Sequence, residues 1–465
     1  MASSRIPAVL ALILVIGAPA IAEGCRPSRR TAPASEPAAA TSAPAAPAAP
    51  AAARAPGESA GGVSLAAIDA PIRRDALLLA TRREHALDRL LRRGESATPA
   101  MVALLASKNL DEVRSALEWF IAIHPEPGTG ELAALLTHPS EPLRGLAIDA
   151  LVAKNAQGQA SAVAGLLGDP SPVVRAKAAD ALRQFGDASA TEALIARVQD
   201  PDPIVALAAA HAAAAVGGAD AWKSLLAEAR GGTPGARRAA LYGLRRMEQP
   251  VPLELLDQAL ASPELDLRLE GIKGLRLAVE DAAPARLGLQ LGDAQPEVRR
   301  VALETVFATD AKAGVTAARG KLDDPSPEVR AAALALLVAD ERGGLTGAEL
   351  ARYLADPLPG VRAVAAASAG ARSGPELRDA LVARLSAESE LPIRRLVVRA
   401  LGSVGDRSTV DALIAAMEEP RGPLLDEAVE SLQRITGEKI GADPAAWREA
   451  TSKPAGEPAA APDTP

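Results

Sequence analysis

The chain has 465 residues and a net charge of −7 at pH 7, a balance that argues against a general nucleic-acid binder. Its single cysteine excludes an internal disulfide framework and a metal site built from clustered thiolates. Aromatic residues make up only 2%, whereas alanine is abundant. This composition suits stacked helices, because alanine favours helix and lets neighbouring helices approach closely.

Residues 1–22 have the features of a bacterial secretion signal. Arg5 supplies a short positive segment, and residues 6–16 form an apolar run that is too short to span a bilayer stably. Residues 20–22 are Ala-Ile-Ala, which fits the small-x-small rule for cleavage before Glu23. The sequence therefore predicts an exported protein of the periplasm or cell envelope.

The only cysteine, Cys25, lies directly behind this leader, where a bacterial lipoprotein carries its lipidated residue. Gly24 fits the position before such a cysteine, whereas Ala22 stands where leucine is usual and Glu23 is an unusual neighbour. Two outcomes stay open. Either Cys25 is lipidated and anchors the protein to a membrane, or ordinary cleavage leaves a free thiol. A lipid on Cys25 is the one membrane contact that the sequence predicts.

Four segments flank the part of the chain with regular patterning. Residues 23–64 are almost entirely Ala, Pro, Ser, Thr and Gly, and they lack the apolar surface needed to offset the entropy cost of ordering. They predict a disordered linker, and residues 451–465 predict a similar tail. N-terminal capping helices are expected over residues 65–107, as one long helix to about Arg93 and a second near residues 98–106. A C-terminal cap is expected over residues 437–450, where Trp447 would close the last core.

A pattern with a period of about 31 residues fills residues 108–436. Its clearest form is D-P-x-P-x-V-R, at residues 324–330, and close variants stand at residues 169–175 and 356–362. The copies begin at residues 108, 138, 169, 200, 231, 262, 293, 324, 356, 388 and 419. Such a period is typical of a solenoid, in which each unit buries its apolar face against its neighbours. The expected fold is an all-α solenoid of about eleven 31-residue helix-pair repeats with N- and C-terminal caps, forming one body.

The copy that begins at Asp169 shows how a single repeat works. Ser171 and Pro172 predict a helix start, because Ser caps free amides and Pro suits the first turn. Gly186 predicts the end of that helix, and a second helix is expected over residues 191–198. The apolar residues of the first helix recur at helical spacing: Val174, Ala178, Ala181, Leu182 and Phe185.

An arginine recurs at the seventh position of nine copies, and an aspartate recurs at the first position of five. Because the arginine flanks the apolar face of its helix, an Asp–Arg ladder between adjacent copies is the simplest account. A stripe of arginines for an anionic ligand is the alternative. The copies at residues 231, 262, 388 and 419 lack the aspartate, so the ladder is expected to be interrupted there. The ladder is expected at Asp169, Arg175, Asp293, Arg299, Asp324, Arg330, Asp356 and Arg362.

Over about residues 65–436 these features resemble HEAT repeats, specifically the bacterial HEAT-like class described in phycobilin lyase subunits. The resemblance implies an α-solenoid but transfers no catalytic residue, since those lyases act on cytosolic antenna proteins. HEAT-like di-iron hydroxylases use repeated His-Glu dipeptides as ligands, whereas this chain has only the reverse order, at Glu84 and His85. No catalytic residue, metal or cofactor is therefore expected.

One further column of residues stands eleven positions after the start of each copy, where the side chain should point away from the apolar face. Exposed aromatic residues often carry the binding energy of an interface, and this column contains two. We expect it to form a ridge that binds an unidentified protein or peptide, although a solvated ridge with two incidental aromatic residues stays open. The predicted ridge consists of Trp119, Asp149, Asp180, His211, Tyr242, Lys273 and Glu304.

The sequence as a whole predicts an exported HEAT-repeat scaffold that binds a protein or peptide in the cell envelope, without catalysis, cofactor or nucleic acid. A HEAT-like lyase or oxidoreductase subunit is one alternative, which a bound metal or chromophore would favour. A passive structural spacer is the other, which predicts no specific partner.

Overall fold

The computed structural model describes residues 70–78, 83–125, 128–277, 283–340, 344–418 and 424–452. All of the regular secondary structure in these ranges is helical. The predicted secretion signal (residues 1–22), Cys25 and the predicted linker (residues 23–64) lie outside the described residues. So do residues 453–465 of the predicted tail.

The chain divides into two compact units at Gln249 and Pro250. Residues 70–249 of the described chain form the N-terminal unit, and residues 250–452 form the C-terminal unit. The 31-residue period continues across this boundary, so the period itself does not mark where the units divide. Equal spacing of the copies along the sequence indicates that each copy has the same arrangement of helices and turns. It does not report how strongly consecutive copies are joined.

The N-terminal unit contains the first twelve α-helices. They are α1 Ala70–Leu77, α2 Arg83–Arg92, α3 Thr98–Leu105, α4 Leu110–Ile123, α5 Thr129–Ala134, α6 Glu141–Ala153, α7 Ala160–Gly165, α8 Pro172–Phe185, α9 Thr191–Arg197, α10 Pro203–Val216, α11 Gly218–Gly231 and α12 Pro234–Arg246. Short 3₁₀ helices lie at Gly94–Ala97, Leu135–Thr137, Gln157–Gln159, Leu166–Gly168 and Ala188–Ala190.

The C-terminal unit contains the remaining thirteen α-helices of the described chain. They are α13 Leu253–Leu260, α14 Leu265–Gly274, α15 Ala283–Gln290, α16 Pro296–Thr309, α17 Ala311–Gly320, α18 Pro327–Ala339, α19 Gly347–Tyr353, α20 Pro359–Ala369, α21 Pro375–Ala387, α22 Leu391–Val404, α23 Val410–Met417, α24 Leu425–Thr436 and α25 Pro444–Ser452. Short 3₁₀ helices lie at Leu275–Leu277 and Arg407–Thr409.

From α4 onward, each sequence copy contributes two helices to a solenoid of stacked pairs. Within each unit, the first helix of one copy packs against the first helix of the next, as α6, α8 and α10 do. In the copy at Asp169, Pro172 begins α8 and Gly186 ends it in the left-handed conformation, with φ 69°. All five apolar residues that the spacing of this copy selected are buried: Val174, Ala178, Ala181, Leu182 and Phe185.

The N-terminal cap differs from the single long helix that the sequence predicted over residues 69–93. Two helices, α1 and α2, stand there and pack against each other. The fully buried carboxylate of Asp75 on α1 accepts a hydrogen bond from Arg89 of α2 at 2.7 Å, with Arg93 at 3.4 Å. In one straight helix, Asp75 and Arg89 would be about 21 Å apart. Two packed helices let the arginines compensate the buried charge.

At the other end, Trp447 closes the last core as predicted. Its side chain is fully buried, and its indole Nε1 donates a hydrogen bond to the carbonyl of Gly441 at 2.8 Å. Helix α25 packs against α23 and runs to Ser452, so it extends two residues into the segment predicted as tail.

Candidate functional site

Arginine–carboxylate pairs join consecutive copies within each unit. In every pair the arginine precedes the carboxylate by 25 or 26 residues, so one copy supplies the cation and the next supplies the anion. The N-terminal unit holds Arg144–Asp169 and Arg175–Asp200. The C-terminal unit holds Arg268–Asp293, Arg299–Asp324, Arg330–Asp356 and Arg362–Glu388.

The Arg144–Asp169 pair shows the geometry. Nε and Nη2 of Arg144 donate to the two carboxylate oxygens of Asp169, both at 2.7 Å. Nη1 donates to the carbonyls of His138 and Pro139 in its own turn, at 2.8 and 3.0 Å. Asp169 also accepts from the backbone amide of Ser171 at 2.8 Å. The same donors recur in other pairs, so these six arginines of the column link consecutive copies and are not free to bind an anionic ligand.

Burial alone would raise the pKa of Asp169, but hydrogen bonds from Arg144 and the Ser171 amide outweigh it and lower the pKa below its ordinary value. Asp324 has the same balance, with Arg299 and the Ser326 amide as donors. These carboxylates are therefore ionised at neutral pH.

Two copies without the turn aspartate behave differently from each other. The ladder was expected to be interrupted at Glu388, and that expectation was wrong, because Glu388 accepts from Arg362 at 2.7 and 2.9 Å. The copy before it is one residue longer than most, and the longer glutamate side chain completes the same bidentate contact. At Ser262 the hydroxyl accepts only from the amide of Glu264, at 3.1 Å, so it completes the turn without supplying a charge.

The predicted exposure of Trp119 was wrong. Its side chain is 0% exposed, its Nε1 donates to the carbonyl of Leu90 at 3.2 Å, and its ring lies edge-on to Phe120. Helix α2 of the N-terminal cap packs against α4 and covers the position that is only half-buried in the next six copies. Trp119 is a core residue of the cap and no part of a binding ridge.

The next three residues of the predicted ridge do come together. Asp149 on α6, Asp180 on α8 and His211 on α10 line one cavity of about 330 Å³. Lys177 and Gln184 of α8 line the same cavity. We call this cavity, defined by Asp149, Lys177, Asp180, Gln184 and His211, the N-terminal groove.

Both carboxylates of the N-terminal groove are compensated. Asp149 forms an ion pair with Lys177 of the neighbouring helix. Asp180 accepts from Arg183 at 2.7 Å and from Gln184 at 2.9 Å. Since Asp180 and Arg183 share one helix, their pair adds little stability, but it places a guanidinium beside the groove.

An aromatic and cationic cluster lies at one side of the groove. The rings of His211 and Tyr242 meet edge to face at 5.9 Å. Arg246 donates to the Tyr242 hydroxyl at 2.9 Å, and its guanidinium carbon lies 5.0 Å from the centre of the tyrosine ring. That of Arg245 lies 5.5 Å from the same centre.

The pKa of His211 is lowered from its ordinary value, first by burial and then by the positive charges of Arg183 and Arg246, with Asp180 opposing. A histidine with a lowered pKa is mostly neutral at pH 7. The cluster therefore presents a neutral imidazole and a tyrosine ring beside arginine charge.

The last two residues of the predicted ridge lie in the C-terminal unit and are not part of this groove. Lys273 forms an ion pair with Glu270 at 2.9 Å, and Glu304 forms one with Arg300 at 2.7 Å, each within a single helix. The sequence column missed Lys177, Arg183 and Arg246, since these residues lie off its eleventh position. Their spacing of three or four residues from Asp180 or Tyr242 was the available signal.

Among the described residues, no group of three or more His, Cys, Asp or Glu side chains is placed to hold a metal ion. In the same part of the chain, no helix has both the length and the apolar character needed to cross a bilayer.

A comparison with protein-family models finds HEAT repeats at residues 130–214, 160–245 and 348–433. The chain is a HEAT-repeat protein. The matched ranges fall in both units and include α6, α8 and α10, which line the groove, and α12 as far as Arg245. No protein with a curated description matches this HEAT-repeat protein.

Several solved structures are similar to this HEAT-repeat protein. Human deoxyhypusine hydroxylase in complex with glycerol has 20% identity and a TM-score of 0.25, with 52% of this chain and 94% of that chain covered. An engineered protein has 17% identity and a TM-score of 0.32, with 80% and 99% covered. A mutant of the karyopherin Kap121p has 12% identity and a TM-score of 0.43, with 78% and 51% covered. Similarities at this level assign no activity to this chain.

Proposed function

We propose that this HEAT-repeat scaffold is exported and binds a protein or peptide partner in the cell envelope, without catalysing a reaction. The observation that carries the proposal is the N-terminal groove with the adjoining His211–Tyr242–Arg246 cluster. Aromatic and arginine side chains are the residues that most often dominate binding energy. Here His211 lines a cavity formed by three packed helices, and Tyr242 and Arg246 adjoin His211.

The supporting structure around the groove favours recognition by a preformed surface. Buried arginine pairs tie α6 to the turn before α8 and α8 to the turn before α10. These links fix the spacing of the helices that carry Asp149, Asp180 and His211. A surface that is already ordered pays less conformational entropy on binding.

The charges in the groove support the same conclusion. Asp149 is paired with Lys177 and Asp180 with Arg183, so neither carboxylate is an isolated acid or base. Within the described residues, His211 contacts the Tyr242 ring and makes no side-chain hydrogen bond of its own. A histidine that acts as a general base is normally within hydrogen-bond reach of a nucleophile.

Export and anchoring rest on the sequence features of residues 1–22 and Cys25. Mass spectrometry of the mature protein from the native host tests them, since cleavage before Glu23 and cleavage before a lipidated Cys25 give different N-termini. A Cys25→Ser variant that still fractionates with membranes would refute anchoring by lipid.

The binding role is tested by crosslinking in cells. A photoreactive amino acid replaces Gln184 in the groove or, as the matched control, Leu289, which is exposed in the C-terminal unit. We expect one crosslinked partner at position 184 and none at 289. Identical sparse backgrounds at both positions refute the proposal and leave the passive spacer, which needs no partner.

A further inference from the structure

The surface that contains the groove extends beyond its polar lining to two exposed apolar residues. On α8, Val173, Lys177, Asp180 and Gln184 recur at helical spacing and share one face. Lys177, Asp180 and Gln184 line the cavity, so Val173, which is 55% exposed, continues the same face by one turn.

Helix α10 repeats this arrangement. Ile204, Ala208 and His211 share one face by the same spacing, and Ala208 and His211 line the cavity. Ile204 is 69% exposed. The Arg175–Asp200 pair joins the N-terminal end of α8 to the turn that precedes α10, so Val173 and Ile204 stand at the same end of the face. Together they form an exposed apolar pair.

The other end of the face carries positive charge. Arg246 is exposed, and Tyr242 is its one hydrogen-bonding and ring partner among the described residues. Helix α12, which bears it, contains four arginines and no acidic residue between Pro234 and Arg246. Because the groove carboxylates have their own partners, Arg246 stands at this end as a cation without an ion-pair partner among the described residues.

We propose that the occupant of the groove is an extended peptide segment of the partner, with an apolar side chain against Val173 and Ile204 and a carboxylate against His211 and Arg246. This inference rests on the proposed function and specifies the partner's chemistry. A neutral imidazole N–H and a guanidinium both donate to a carboxylate, and the arginine contact is charge-assisted. A basic segment would meet Arg246 with like charge.

The helix geometry sets the spacing within the peptide. His211 lies seven residues beyond Ile204, which is about 10 Å along α10. Arg246 is at the level of residue 215 by the repeat of 31 residues, which is about 16 Å beyond Ile204. An extended chain covers these lengths in about three to five residues. The recognised pattern is therefore a leucine-type residue followed or preceded by an acidic one at that separation.

The test uses the purified full-length protein and four capped peptides in isothermal titration calorimetry. The parent peptide places Leu and Glu four residues apart in a Ser/Ala background, and the others replace Leu by Ser, Glu by Gln or Glu by Lys. We expect the parent to bind and each replacement to weaken binding by on the order of tenfold, which corresponds to about 1.4 kcal/mol. No binding of the parent at millimolar concentration, or equal binding of the Lys peptide, overturns the inference.

Two protein variants locate the contact. Ile204→Ser and Arg246→Ser change exposed side chains, and each should weaken binding of the parent peptide by a similar factor. Leu289→Ser and Arg352→Ser, at exposed positions of the C-terminal unit, are the matched controls and should bind as wild type does. Unchanged binding to both groove variants overturns the inference. If crosslinking at position 184 captures a partner whose bound segment lacks this pattern, the inference fails while the proposed function stands.

Discussion

The sharpest structural prediction concerns the buried link between Arg144 and Asp169. Both residues are less than 9% exposed, and they share two hydrogen bonds of 2.7 Å. Replacing Asp169 by Ala leaves the guanidinium buried without its carboxylate and removes the acceptor for the Ser171 amide. Breaking a buried pair from one side typically costs about 3–5 kcal/mol. We expect a loss of that size in the free energy of unfolding, measured by urea titration followed by circular dichroism.

A double variant separates the charge from the rest of the contact. Arg144→Met combined with Asp169→Leu removes both charges and keeps apolar volume, which is often neutral for a buried pair. Here the carbonyls of His138 and Pro139 also lose their donor. The Ser171 amide loses its acceptor as well, so three hydrogen bonds are lost. At about 1 kcal/mol for each of them, the double variant should lose roughly 3 kcal/mol, which is at the lower end of the loss expected for Asp169→Ala alone.

The exposed pair Asp257–Arg286 provides the control, since its side chains are 47% and 30% exposed. Asp257→Ala should cost about 0–1 kcal/mol. If Asp169→Ala costs no more than Asp257→Ala, the ladder does not stabilise the fold. The pH dependence gives a second check, because the folded pKa of Asp169 lies below its unfolded value. Its contribution is present above about pH 3.9 and is lost as the pH falls through the folded pKa, so the difference between wild type and Asp169→Ala should shrink in acid.

Three further predictions concern other parts of the molecule. The pKa of His211 is lowered in the folded state, so the unfolded state binds more protons below about pH 6.5. Wild type should therefore lose stability between pH 7.5 and pH 5.5, and the His211→Gln variant should lose less. Urea titration at both pH values measures the difference. Trp119→Ala should cost about 3–5 kcal/mol, because the ring is fully buried. By contrast, Leu289→Ser at a 78% exposed position should change stability by less than about 0.5 kcal/mol, and equal melting temperatures for the two variants would contradict the burial of Trp119. Gly347→Ala would bring a methyl carbon into steric conflict with the carbonyl oxygen of Ser373, so it should lower stability by about 1–3 kcal/mol in thermal melts. An unchanged melt would show that the backbone there gives way freely.

The repeated part of the fold could be predicted because its causes are local. A turn residue, a Pro in the first helical turn and apolar residues at helical spacing lie within one copy, as Pro172 and Val174 show. The end caps depend on contacts that are not repeated. Trp119 occupies the same sequence column as Asp180, but α2 of the N-terminal cap covers it. Because α2 does not belong to the repeat, nothing in the sequence of Trp119's own copy predicts this contact.

The candidate site was predictable in part for the same reason. The column at position eleven brought Asp149, Asp180 and His211 to one cavity, because the first helices stack in register. The cations beside them belong to other columns, and whether a charge such as Arg246 has a partner depends on side chains of neighbouring helices. Glu388 shows that the sequence pattern was also too strict. Because the pattern was defined by aspartate, it did not predict that the glutamate carboxylate would pair with Arg362.

The arginine–carboxylate pairs also give the chain a direction. The copies that begin at Asp169, Asp293, Asp324 and Asp356 each donate a guanidinium forward along the sequence and offer a carboxylate backward, in the manner of a head-to-tail polymer. These four copies thus have matching junctions, and duplicating such a copy in tandem regenerates the same bonds on both sides. The first copies lack this freedom, because His138 offers a ring nitrogen where later copies offer a carboxylate. A chain with this ladder is therefore lengthened with the least disruption by duplicating one of those four copies.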